Sequence, residues 1–92
     1  TYHISSAARI LDTSAQNREL SIDLKYPVSG TCFTVVIGLG HPPIGVLWNA
    51  TVLTRTDESE PEPGSWSYAP DDDILIVNGR FATDTTHVQI AY

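Results

Sequence analysis

Ninety-two residues are enough for one hydrophobic core and too few for two, and an apolar fraction of 41% is that of an ordinary globular chain. Eleven acidic residues against five basic ones give a formal charge of -6, which repels a phosphate backbone and excludes nucleic acid as an expected partner. No uninterrupted apolar run reaches the roughly 18 residues a spanning helix needs, so no membrane partner is expected either.

The chain opens on Thr1 with no basic, apolar leader, and is expected to be a single domain over residues 1–92 cut from a larger protein. Ser5 to Leu11, "SSAARIL", has helical composition but is shorter than an isolated helix requires. Ala8 to Asp12 is therefore read as a strand that either forms the first hairpin across "TSAQNR" or crosses to a second sheet. Leu20, Ile22, Leu24 and Tyr26 then alternate with Ser21, Asp23 and Lys25, a period of two that gives one apolar and one wet face. "TCFTVVIGLG" is apolar on both faces, as expected of a central strand buried on both sides or at an interface between sheets. Cys32 lies in that run; a lone cysteine makes no intrachain disulfide and is read as a small buried hydrophobe.

"IGVLWNATVLT" holds two short apolar runs around Asn49-Ala50. Asn accepts the left-handed backbone of a tight turn, but Ala suits it less than Gly, so a longer or strained turn is expected. "RTDESEPEPGS" contains four acidic residues, two prolines and no apolar side chain, and reads as a mobile surface loop. Residues 66–69 and 73–78 are expected to pair across "APDDD", and "HVQIAY", His87 to Tyr92, closes the chain as a last strand. Seven to eight short strands with regular turn signals predict an all-β fold, an antiparallel β-sandwich of immunoglobulin-like architecture without the Cys…Trp…Cys signature of antibody domains.

The order "LSIDL", "TCFTVVIGL", "VLWNATVL", a variable loop, "WSYAPDDDILIV" and "THVQIAY" resembles the C-terminal β-sandwich modules of extracellular glycoside hydrolases, such as the family 31 α-glucosidases and α-xylosidases. Val46 to Val52 corresponds there to a hairpin of the form V-x-V-N-G-x-x-V, and Trp66 to Val77 to one of the form W-x-Y-D-x-x-x-x-x-L-x-V. Ala50 stands where those modules have Gly, and Ala69 where they often have Asp. The resemblance implies a noncatalytic accessory module that is secreted and packs on the adjacent catalytic domain of its parent chain. The catalytic residues of such enzymes lie in the barrel, so none is carried over.

Site chemistry in the chain is sparse. Seven of the eleven acidic residues lie between Asp57 and Asp73, in loops rather than in a cleft, and His3, His41 and His87 lack the spacing of metal ligands, so they are read as surface or edge-strand positions. Cys32 and His41 carry no nucleophile motif, and the chain is not expected to be an enzyme. Asp71, Asp72 and Asp73 follow a proline, as turn residues do; the alternative is a metal site, most simply Ca2+, although consecutive carboxylates splay and at most two would reach one ion. No other cofactor is expected. Trp48, Trp66 and Tyr68 are candidate platforms for a polysaccharide or oligosaccharide, with Arg80 and the aspartates binding hydroxyls; the alternative is that they pack in the core. Asn49 begins an Asn-Ala-Thr glycosylation acceptor, which agrees with a secreted protein. Carbohydrate binding or stabilisation of a parent enzyme is the leading expectation, with a protein-interaction or adhesion module, or a spacer without ligand, as alternatives.

Overall fold

The computed structural model describes residues 3–6, 8–26, 29–81 and 85–92, with Cys32 described by its backbone alone. The strands, in chain order, are β1 (His3–Ser6), β2 (Arg9–Gln16), β3 (Glu19–Lys25), β4 (Gly30–Ile37), β5 (Gly45–Trp48), β6 (Thr51–Val52), β7 (Thr54–Arg55), β8 (Ser65–Ala69), β9 (Ile74–Phe81) and β10 (Thr86–Ala91). They form two five-stranded sheets, ordered β1-β4-β9-β8-β7 and β2-β3-β10-β5-β6. All pairings are antiparallel except β7 with β8. The all-β sandwich is the expected one, with ten strands among the described residues in place of seven or eight. The surplus over eight is β1, ahead of the expected first strand, and β7, a two-residue edge pairing.

The core is the slab between the sheets. One sheet contributes Leu20, Ile22, Leu24, Val46, Trp48, Val88 and Ile90, and the other Val36, Trp66, Leu75, Val77 and Phe81, all buried. In β3 and β10 every second side chain faces this slab, all of them apolar except Thr86, so period two in the sequence becomes one buried face per strand. A fully buried aliphatic side chain is worth about 1.5–3 kcal/mol, so the slab supplies most of the drive to fold.

Two-residue turns set the register of the second sheet. Asn17 and Arg18 (φ 51° and 60°) join β2 to β3, and Asn49 and Ala50 (φ 48° and 66°) join β5 to β6. Positive φ at both central positions matches the right-handed twist of the flanking strands. Of the two alternatives read for Ala8 to Asp12, the hairpin holds: β2 pairs with β3 in one sheet, while the crossing between sheets comes earlier, from β1 to β2, with Ala8 buried at the passage.

Of the two readings of β4, a strand at the interface between sheets holds and burial on both sides does not. Its inner side chains Thr34 and Val36 are buried in the slab, but Phe33 and Ile37 are exposed and Val35 half-exposed on the outer face of the first sheet. A two-layer sandwich covers only one face of each sheet, so an apolar strand with two apolar faces leaves one outside.

Candidate functional site

The tryptophans are core residues. Trp48, 6% exposed, projects from β5 across the slab onto β9, where its ring meets Phe81 edge-on with centroids 4.9 Å apart and its Nε1 donates to the carbonyl of Arg80 at 3.0 Å. Trp66, 2% exposed, shares the inner face of the first sheet with Val77, and the guanidinium of Arg55 stands 5.4 Å from its ring centroid. Stacking on a sugar needs an uncovered ring face, which neither indole presents. Their expected role as surface platforms is corrected accordingly: they alternate into the same slab as the aliphatic residues. Tyr68 is half-buried at the edge of the core, and Arg80 is exposed, meeting Trp48 only through its backbone.

The three aspartates form the turn between β8 and β9 and do not converge. Asp71 and Asp72 are exposed, whereas Asp73, with φ 53°, turns back. Its Oδ1 accepts from the Tyr68 hydroxyl at 2.7 Å, its Oδ2 from the Gly40 N–H at 2.7 Å and its backbone carbonyl from the Gly38 N–H at 3.1 Å. The phenol hydrogen bond, then the Gly40 amide, hold the Asp73 carboxyl below the usual carboxylate range. The same hydrogen bond, with desolvation and the carboxylate charge, pushes the Tyr68 phenol up to about 12. Asp73 is thus a tie between the hairpin and the 38–40 segment. No group of three or more His, Cys, Asp or Glu side chains among the described residues is placed to hold a metal ion, which corrects the alternative of a metal site at Asp71, Asp72 and Asp73.

Asn49, the acceptor position of Asn-Ala-Thr, is exposed at its turn, and its Oδ1 accepts from the N–H of His87 at 2.8 Å. His3, His41 and His87 are all exposed, and His87 Nδ1 lies 2.6 Å from Asp23 Oδ1 across β10 and β3. The reading of Cys32 as a buried side chain lies outside what is described.

The outer face of the first sheet was not singled out from the sequence, although its signal is there: a strand apolar on both faces, "TCFTVVI", beside another, "ILIV". Register pairs Ile37 with Ile74 and Val35 with Ile76, and Phe33 continues the row opposite Asn78. Phe33 is 44% and Ile37 40% exposed; Val35, Ile74 and Ile76 are half-buried. Such contiguity is unusual for a solvated face.

The acidic loop lies over the end of this face, and it is tied down. Asn78 Nδ2 donates to the carbonyl of buried Pro61 at 2.9 Å, Gly64 N–H to the Asn78 carbonyl at 2.8 Å, and Thr56 N–H to the Trp66 carbonyl at 2.8 Å. The expectation of a freely mobile loop considered only its lack of apolar side chains, whereas its backbone supplies the anchors. Ser65 and Ser67, on the outer face of β8, are buried. Of the shallow hollows that flank the loop, two touch this face: one of about 410 Å³ between Phe33, Val35, Ile76, Ser59 and Glu60, and one of about 250 Å³ whose walls include Asp57, Glu58, Ile74 and Ile76; a third, of about 390 Å³, lies between Arg55, Glu58 and Glu62.

Comparison with protein-family models, with curated proteins and with solved structures finds no match. Among the described residues no helix is long and apolar enough to cross a membrane.

Proposed function

We propose that the chain is a noncatalytic module of immunoglobulin-like architecture that works by docking the outer face of its first sheet on a neighbouring protein surface. The observation that carries this reading is the row Phe33, Val35, Ile37, Ile74 and Ile76 on a face the sandwich leaves uncovered. Burying such side chains on a partner gains free energy that water denies them. Alternation of successive segments between the sheets, as in β3, β4 and β5, supports the immunoglobulin-like description.

The setting implied by the sequence resemblance, an accessory module packed on the catalytic domain of a secreted glycoside hydrolase, gives this face a natural neighbour. Burial of both tryptophans favours packing and stabilisation of a parent over sugar binding through aromatics. The test is Phe33→Ser in the full-length gene product. The variant should lower the melting temperature of the whole protein by clearly more than it lowers the isolated module's own. An unchanged full-length protein, together with retention of the isolated module on a polysaccharide affinity gel, would reverse the assignment in favour of carbohydrate.

A further inference from the structure

We infer that the surface docked on the first sheet is a protein segment presenting apolar side chains flanked by lysine or arginine. This rests on the docking reading above and adds the partner's charge.

The apolar row carries its own acidic border. Asp57, Glu58, Glu60 and Glu62 fall within six residues that include no basic side chain, and all four are exposed; Asp57, Glu58 and Glu60 line the hollows beside the row, whereas Glu62 lines a hollow away from it, shared with Glu58 and Arg55. None makes a salt bridge among the described residues, where the single one is His87 with Asp23. The two hollows beside the apolar row share Ser59 and Ile76, so carboxylates stand beside apolar walls on both flanks: Glu60 near Phe33 and Val35, Asp57 and Glu58 near Ile74. Anchorage of Pro61 by Asn78 holds the loop on the sheet. A partner that buried this row without cations would desolvate unpaired carboxylates at its rim, whereas one with flanking lysines or arginines would pair with them, gaining specificity and association rate. A second copy of this chain would bring two such loops together on a background of -6 per molecule, so like charge opposes it.

The test uses short blocked peptides of three patterns, valine alternating with lysine, valine with glutamate and serine with lysine, titrated into isotope-labelled protein and followed by amide chemical shifts. The valine–lysine peptide should perturb β4, β9 and residues 57–62. Its binding should weaken at least about fivefold from low to high NaCl as the Debye length shrinks. It should be lost in Phe33→Ser and in a variant with Asp57→Asn, Glu58→Gln, Glu60→Gln and Glu62→Gln; Ile37→Thr replaces the first if that variant fails to fold. Equal binding of the valine–glutamate peptide to the same strands would overturn the basic requirement and leave the docking reading standing. Equal binding of the serine–lysine peptide would reduce the effect to charge attraction and overturn the inference. If no peptide perturbs β4 or β9, both readings fail. Salt-strengthened dimers of the free protein that vanish in Phe33→Ser would assign the face to a second copy and overturn the inference.

Discussion

Trp48 fills the space that any side chain at Gly79 would need: a Cβ on Gly79 would fall inside the van der Waals envelope of the indole atoms Cε2, Cζ2 and Cη2. The glycine on β9 is therefore half of a joint between the sheets, and the Nε1 hydrogen bond to the next residue's carbonyl holds the ring in place. Gly79→Ala should cost about 1–3 kcal/mol or more, as overpacking does in well-packed cores. Urea denaturation checks this. In a Trp48→Leu background the same change should cost much less, because the ring that collides is gone; an unchanged cost would show that the two residues are not coupled.

Ala50 is the opposite case, a side chain where glycine would be easier. At φ 66° its Cβ crowds the backbone by about 1 kcal/mol, and glycine relieves this while adding unfolded-state entropy. Ala50→Gly is expected to stabilise by about 0.5 kcal/mol, or roughly 2–4 °C in Tm for a domain of this size. Differential scanning calorimetry measures it, and a lower Tm would mean the turn is not strained.

The fold was legible because alternation in β3 and β10, and the two-run patterns around β5 and β9, state which side chains face inward. The turn at Asn49-Ala50 and the pairing of residues 66–69 with 73–78 followed from the same cues. The functional face was not legible, since an apolar strand with two apolar faces reads equally well as one buried twice. Only the number of layers decides whether Phe33 and Ile37 meet protein or water, and layer count is a property of the assembled sheets. For the tryptophans the core alternative holds: Trp66 and Tyr68, two apart on a strand, share a face, but which face depends on register with β9.

The Tyr68–Asp73 tie gives stability two pH limits. Asp73, depressed below its ordinary 3.8, contributes fully above that value and loses its contribution as pH falls through its folded pKa. Tyr68, raised from 10.0 to about 12, contributes fully below pH 10.0 and loses its share as pH rises toward 12. Thermal melts across pH should show both losses in the native sequence. Tyr68→Phe should remove the alkaline one and blunt the acid one. Asp73→Asn keeps a residue that tolerates φ 53° and should flatten the acid limb. A melt profile identical in all three proteins would show that the tie carries no stability.

Trp66 and Phe33 should separate core from surface. Trp66 lies sealed between the sheets with Arg55 over its ring, so Trp66→Ala should cost about 3–5 kcal/mol through lost burial and the cavity left behind. Arg55→Ala should cost under about 1 kcal/mol, the size of an exposed cation–π contact. Phe33, 44% exposed, has little burial to lose, and Phe33→Ser should stay within about 1 kcal/mol of the native chain. Urea denaturation of the three variants orders them. A large loss for Phe33→Ser in the isolated chain would mean that its ring supports the fold, and its use as a docking probe would fail. For the same reason, ligand binding lost on Trp66→Ala would report unfolding, so Arg80→Ala, exposed and at the far end of β9 from the Tyr68–Asp73 tie, is the substitution that probes a carbohydrate without disturbing the core.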